Sequence, residues 1–258
     1  MASFRMPAGK PFRHTIRHPS KPRQVTPAMS YVFPPAAVPA VPVMGGGALP
    51  VRRIYCVGRN YAEHAQEMGF TGREPPFFFL KPADALLPVA DGETGQMAYP
   101  PLTSNLHHEV ELVVAIGRGG RDIAAADAPS HIWGYAIGLD MTRRDLQNDM
   151  KKQGRPWCIG KAFDESAPIG PIHPISRTGE MNHGAIDILV NGVVRQKGDL
   201  RELIWNVAET IETLSRAWTL RPGDLIFTGT PAGVAAVVPG DLMEARIAGL
   251  GSLRVQIK

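Results

Sequence analysis

This sequence predicts a mixed α/β fold rich in short strands, with only a few short helices, and three observations carry that expectation. From about residue 51 onward, short apolar runs alternate with Gly, Pro and Asp, the punctuation of strands and turns. Asn191-Gly192 separates two such runs, and both residues tolerate the positive φ that a two-residue hairpin loop demands. No βαβ series runs along the chain, so a doubly wound nucleotide fold is disfavoured. With 258 residues, 44% of them hydrophobic, the chain can bury a core without disulfide or metal staples.

Taken in order, Ile54-Tyr55-Cys56-Val57-Gly58 reads as a strand. Asn60 then offers an N-cap, and Glu63 completes a capping box three residues on, so a short helix closed by Gly69 is expected there. That helix carries His64 and Glu67. Phe77-Phe78-Phe79-Leu80, ending at Lys81-Pro82, is a buried strand candidate, and residues 109–116 and 133–139 are two more, the former with the β-branched bulk of Val113, Val114 and Ile116. Thr142 is placed to cap a helix running to Gly154. Residues 186–190 and 193–196 flank the Asn-Gly loop as a hairpin. Asp199 with Glu202 is expected to start the longest helix, because Ile204, Val207, Ala208, Ile211, Leu214 and Trp218 fall on one face. Pro222-Gly223 ends it. Strands at 224–227, 240–247 and 252–257 complete the chain.

Charge sits unevenly. Residues 1–28 hold six basic side chains and no acid, which leaves 22 basic against all 24 acidic ones in the remainder. Phosphate backbones find little to grip on such a body, so nucleic acid is excluded as a partner. The uncharged stretch 31–51 has five prolines and three glycines, which would leave backbone groups unsatisfied in lipid, so it is not read as a membrane span. Residues 1–50 are expected to form an extension, flexible or extended, and 51–258 the catalytic domain. Prolines also interrupt the amphipathic helix that organellar targeting by residues 1–28 would need, and Met29 offers an internal start. Cys56 and Cys158 have neither zinc nor disulfide-framework spacing. A reducing, cytoplasmic setting is expected.

The sharpest chemical signal is Glu109-Val110-Glu111 at the head of an apolar strand. A period of two points both carboxylates to one face, and a buried carboxylate needs a cation. Alone, Glu-x-Glu at a strand end reads first as a solvated face. Asp140 changes this, because it ends a second apolar run and would converge with the pair if the two strands are neighbours. Three carboxylates with open positions suit Mg²⁺ or Mn²⁺, with Ca²⁺ also allowed. His107 and His108 read as hydrogen-bonding or surface groups. His64 and Glu67, three apart on one helix face, form a pair in which the carboxylate orients the imidazole; on an ordinary helix such a pair is a surface feature. Lys161 follows Gly160, but five residues separate Gly154 from Gly160 and Ala162 follows the lysine, so no phosphate loop is present. There is no G-x-G-x-x-G after a strand and no G-x-S-x-G elbow.

Together, Val57-Gly58-Arg59-Asn60-Tyr61-Ala62-Glu63-His64, Phe79-Leu80-Lys81-Pro82, His107-His108-Glu109-Val110-Glu111, Gly138-Leu139-Asp140-Met141-Thr142, Gly160-Lys161-Ala162-Phe163 and Thr228-Gly229-Thr230-Pro231 resemble the fumarylacetoacetate hydrolase family, in its acylpyruvate and fumarylpyruvate hydrolase branch. The resemblance covers residues 51–258. It implies a β-roll of packed sheets with a few short helices, usually dimeric. It implies Glu109, Glu111 and Asp140 as metal ligands, His64 and Glu67 as a water-activating pair on a lid helix, and Lys161 as oxyanion partner. Arg144, Gln147 and Thr230 match positions that hold the acid end of a small 2-oxo acid. The implied reaction is metal-dependent hydrolysis of a carbon–carbon bond in a 3-acylpyruvate, fumarylpyruvate first. Oxaloacetate decarboxylation, isomerisation of a 2-oxo diacid at the same site, and non-catalytic binding of a small acid are the alternatives.

Overall fold

A computed structural model of the chain describes residues 30–61 and 73–258. The basic segment 1–28 and the expected helix with His64 and Glu67 lie outside the described residues. Residues from Val38 onward gather into one unit.

In chain order its strands are β1 (Ala40–Pro42), β2 (Ala48–Pro50), β3 (Arg53–Gly58), β4 (Phe77–Lys81), β5 (Leu86–Pro88), β6 (Thr94–Met97), β7 (Leu106–His107), β8 (Val110–Ile116) and β9 (Ile132–Leu139). They continue with β10 (Thr142–Arg143), β11 (Ala167–Ile169), β12 (His173–Pro174), β13 (Ala185–Val190), β14 (Val193–Asp199), β15 (Asp224–Phe227), β16 (Ala236–Val237), β17 (Leu242–Ile247) and β18 (Gly251–Ile257). Among the described residues the α-helices are α1 (Arg144–Lys152), α2 (Cys158–Lys161), α3 (Ile175–Thr178) and α4 (Val207–Ala217). No helix among the described residues is long and apolar enough to cross a membrane.

The largest sheet runs β4-β3-β15-β8-β9-β11-β5, with β12 also on β9, and a second runs β14-β13-β17-β18-β6. Alternation along β8 explains how both faces of the large sheet are covered. Leu112, Val114 and Ile116 join a core shared with Ile186, Ile188, Met243 and Val255 of the second sheet and with Ile211 and Leu214 of α4. Val113 and Ala115 point the other way, into a core with Ile54, Leu225 and Phe227. The predicted hairpin forms at β13 and β14, with Asn191 and Gly192 both at positive φ (51° and 80°).

Four expectations differ from what is observed, the first being that the strand at 77–80, expected to be buried, lies at the sheet edge with Phe77 and Leu80 exposed. The stretch set apart as an extension through residue 50 contributes the β1–β2 hairpin, which buries Val41 completely and Leu49 to within 8% exposure in the second core. Its prolines, Pro42 and Pro50, stand at strand ends, where a missing N–H is tolerated. The Asp199 and Glu202 capping box forms but closes only a 3-10 turn, and a second box, Asn206 with Glu209, starts α4. Between them Asn60 clamps Trp205, accepting its N–H at 2.8 Å and donating to its carbonyl at 2.9 Å, which holds the chain off the helical path. Thr142 caps nothing: its hydroxyl donates to the Asp140 carbonyl at 3.0 Å, and α1 begins two residues later without a side-chain cap.

Candidate active site

Strands β8 and β9 run antiparallel with Val110 opposite Leu139 and Glu111 opposite Gly138. The ladder takes one more step, because the Asp140 N–H donates to the Glu109 carbonyl at 2.9 Å. Two strand ends, joined in register, therefore deliver three carboxylates to one spot: ligand oxygens of Glu109, Glu111 and Asp140 lie within 4.8 Å of one another. All three are buried, at 6%, 2% and 1% exposure. Unscreened negative charge at such depth demands positive partners.

Those partners come from three elements. Lys161, at the end of α2, donates to Glu109 Oε2 at 2.8 Å and to Asp140 Oδ2 at 2.7 Å. Arg144, opening α1, donates from Nη2 to Glu109 Oε1, from Nη1 to Gln147 Oε1 at 2.7 Å, and from Nε to His107 Nδ1 at 3.4 Å. Lys81, ending β4, places Nζ 2.9 Å from Asp140 Oδ1 and donates to the carbonyls of Met141 and Lys161. Lys81 escaped the sequence reading as a site residue. A lysine closing the run Phe77-Phe78-Phe79-Leu80 was nevertheless a signal of the same kind as Glu-x-Glu heading another apolar strand.

Burial, reinforced by the charges of Asp140 and Glu109, pushes the Glu111 carboxyl well above the usual range, although the Gly229 N–H donates to its Oε2 at 2.7 Å and Lys161 lies near. Burial alone would depress the Lys161 ammonium, but Asp140 and Glu109 outweigh it and raise its pKa. His107 is held down to about 4 by burial and by Arg144. Being neutral, it accepts from Arg144 at Nδ1 and donates from Nε2 to Asn105 at 2.9 Å. Both histidines are hydrogen-bonding groups, since His108 bonds Gln196 at 2.8 Å.

The trio opens on a cavity of about 30 Å³ lined also by Arg144, Gln147, Lys161, Thr230 and Phe79. A groove of about 400 Å³ adjoins it and shares Phe79, Trp157 and Lys161. The structure thus brings together the three carboxylates, Lys161, Arg144, Gln147 and Thr230. His64 and Glu67 lie outside the described residues, but the described positions on either side of them are tied to one residue. Trp205 bonds Asn60 through its backbone, donates from Nε1 to the Glu74 carbonyl at 3.0 Å, and carries Arg73 over its ring at 4.2 Å.

The donor set fits a divalent cation. It is all oxygen, it crowds three carboxylates where one of them resists ionisation, and Asp140 Oδ1, although beside Lys81, receives no directed hydrogen bond. A buried lone pair of that kind is what a metal ligand presents.

Comparison with known proteins agrees with this geometry. The family profile described as "Fumarylacetoacetate (FAA) hydrolase C-terminal" matches residues 53–258. The crystal structure of fumarylpyruvate hydrolase from Pseudomonas aeruginosa, in complex with Mn²⁺ and pyruvate, superposes with a TM-score of 0.87 at 58% identity, covering 88% of this chain and 99% of that one. The mitochondrial oxaloacetate tautomerase of Rattus norvegicus is 41% identical over 207 residues, 80% of this chain and 92% of its own length. The mitochondrial oxaloacetate decarboxylase of Dictyostelium discoideum is 41% identical over 199 residues, 77% of this chain and 90% of its own. Profile, relatives and fold converge on one assignment: the chain belongs to the fumarylacetoacetate hydrolase family, an enzyme family, with its strand-rich α/β architecture.

Proposed function

We propose that this chain hydrolyses a 3-acylpyruvate, with fumarylpyruvate giving fumarate and pyruvate as the preferred case, using Mg²⁺ or Mn²⁺ held by Glu109, Glu111 and Asp140. The observation that carries this reading is the buried carboxylate trio ringed by Lys81, Arg144 and Lys161. Identity of 58% with a fumarylpyruvate hydrolase crystallised with Mn²⁺ and pyruvate supports it.

Charge matching favours a diacid. Glu109, Glu111 and Asp140 are matched by Lys81, Arg144 and Lys161, and a divalent ion together with Arg59, which also lines the cavity, leaves positive charge for an acid with two carboxylates to neutralise. Arg144 and Gln147, one turn apart on α1, and Thr230 hold the acid end of the substrate in this reading. When bound, the ion supplies a Lewis acid that makes the pyruvyl end of the substrate an electron sink. His64, oriented by Glu67, takes a proton from water as its oxygen attacks the distal carbonyl carbon. Lys161 spends two of its three N–H donors on Glu109 and Asp140, and the third meets the oxyanion that forms. Collapse breaks the carbon–carbon bond, the new acid keeps the water oxygen, and the pyruvate enolate takes up a proton to leave as pyruvate.

A second reading, decarboxylation or tautomerisation of oxaloacetate, is favoured by the oxaloacetate enzymes among the relatives. Product analysis separates the two. A panel of acylpyruvates and oxaloacetate, each incubated with Mn²⁺, is expected to give pyruvate plus a second acid fastest from fumarylpyruvate, and none after chelation. Faster turnover of oxaloacetate with carbon dioxide release or tautomer exchange would favour the second reading; no pyruvate from any acylpyruvate would overturn the first.

The two cysteines are free thiols, in keeping with the cytoplasmic setting proposed for the chain. Phe77 and Leu80, 36% and 41% exposed on edge strand β4, support a homodimer in which a second copy covers that edge.

A further inference from the structure

Strand β14 is an edge strand of the second sheet, and Gln196 is its one buried residue. Its amide uses every hydrogen-bonding position it has. Oε1 accepts from the Val110 N–H at 3.2 Å and pairs with His108 Nδ1 at 2.8 Å; Nε2 donates to Thr230 Oγ1 at 2.8 Å and to the Pro231 carbonyl at 2.7 Å. The orientation is settled by chemistry, because a flipped amide would set NH₂ against the Val110 N–H and its oxygen against the Pro231 carbonyl. His108 must then carry its proton on Nδ1. Thr230 Oγ1 in turn donates to the Val110 carbonyl at 2.8 Å.

One amide thus ties the residues on both sides of Glu109 to the turn that carries Thr230 and, one residue earlier, Gly229, whose N–H holds Glu111. That turn lies tightly against β14: a Cβ on Gly233 would stand 2.2 Å from the Arg195 carbonyl oxygen, and one on Gly198 would stand 2.9 Å from Pro231 Cβ. Thr228 is bonded to Leu112 of β8 and to Asn60 independently, so Gln196 is the tie that β14 adds at the Thr230 end of the turn.

We propose that Gln196 is a positioning residue, which fixes the turn at 228–231 against the head of β8 so that the Thr230 backbone N–H meets the acid end of the ligand, the hydroxyl proton being committed to the Val110 carbonyl. This rests on the role given to Thr230 above. The amide touches none of the three carboxylates, so it acts on ligand binding more than on metal binding.

The test measures the dissociation constants of Mn²⁺ for the chelator-treated chain and of pyruvate for the Mn²⁺-loaded chain, by calorimetry. Gln196→Met keeps the bulk and removes the hydrogen bonds; Gln196→Asn keeps the amide one methylene too short and serves if the Met variant does not fold. Either variant is expected to weaken pyruvate by about tenfold, the scale of one or two hydrogen bonds, with Mn²⁺ affinity unchanged within about threefold. Thr230→Val is expected to weaken pyruvate alike, and Gln196→Met with Thr230→Val together little further than the more affected single variant, since both break the Gln196–Thr230 bond that anchors the turn. Additive losses, or Gln196 variants that bind pyruvate as the native chain does while Thr230→Val does not, would overturn the positioning role alone. Unchanged binding by Thr230→Val would show that its hydroxyl does not anchor the turn and would overturn the positioning role, whereas no pyruvate binding by the Mn²⁺-loaded native chain would overturn the reading beneath it.

Discussion

Glu109→Ala is expected to abolish metal-dependent turnover while leaving a folded chain. Glu109 is the carboxylate on which two cations converge, Lys161 on one oxygen and Arg144 on the other. The truncation therefore removes a third of the donor set and strands two buried positive charges beside the remaining carboxylates. Breaking a buried ion pair costs about 3–5 kcal/mol, a large part of the 5–15 kcal/mol or so that holds a domain folded, so the variant melts earlier yet stays native near room temperature. Loss of a positioned ion removes several kcal/mol of transition-state stabilisation, on the order of 10³-fold in kcat/KM. Glu109→Gln keeps the bulk and one acceptor but sets its NH₂ against Arg144 or Lys161, so it should lose turnover as Glu109→Ala does with a smaller loss of stability. Full activity in either variant after chelation would refute the metal assignment.

His64→Ala carries the other large effect. A positioned general base contributes about 10²–10⁴ in rate, so kcat should fall by that order while Mn²⁺ affinity stays within about threefold, because His64 is not among the ligands. Glu67→Gln should show a smaller loss of the same kind, since the part proposed for it is to orient the imidazole. Single-turnover measurements with saturating substrate would check both, and an unchanged kcat would remove His64 from the mechanism. The pair is inferred from sequence spacing and from the family resemblance, and the fixed points on either side, Asn60 and Arg73 on Trp205, belong to the described structure.

The parts of this fold that depend on local pattern were readable from the chain. The apolar runs in 109–116 and 133–139, the Asn191-Gly192 loop and the run 224–227 each became the strand or turn expected. The Glu-x-Glu pair met Asp140 because its two strands are sheet neighbours, a pairing the apolar runs suggested without fixing the register. What local pattern missed was decided at long range. Capping chemistry at Asp199 is genuine, yet Asn60, distant in sequence, takes the backbone of Trp205 and delays the helix to Asn206. The uncharged, proline-rich stretch before residue 51 looked unable to fold, and it does so only because the large sheet offers an apolar face to Val41 and Leu49. Lys81 and Gln196 gave weak signals for a related reason: a lysine after a run of phenylalanines and a glutamine in an exposed strand show their purpose only once Asp140 and Thr230 are beside them.

Crystals grown with Mn²⁺ and pyruvate, measured at the manganese absorption edge, test the shared metal site most directly. One anomalous peak is expected, roughly 2.0–2.6 Å from a carboxylate oxygen of each of Glu109, Glu111 and Asp140. A peak bound by other residues, or none at these three under saturating Mn²⁺, would contradict the account.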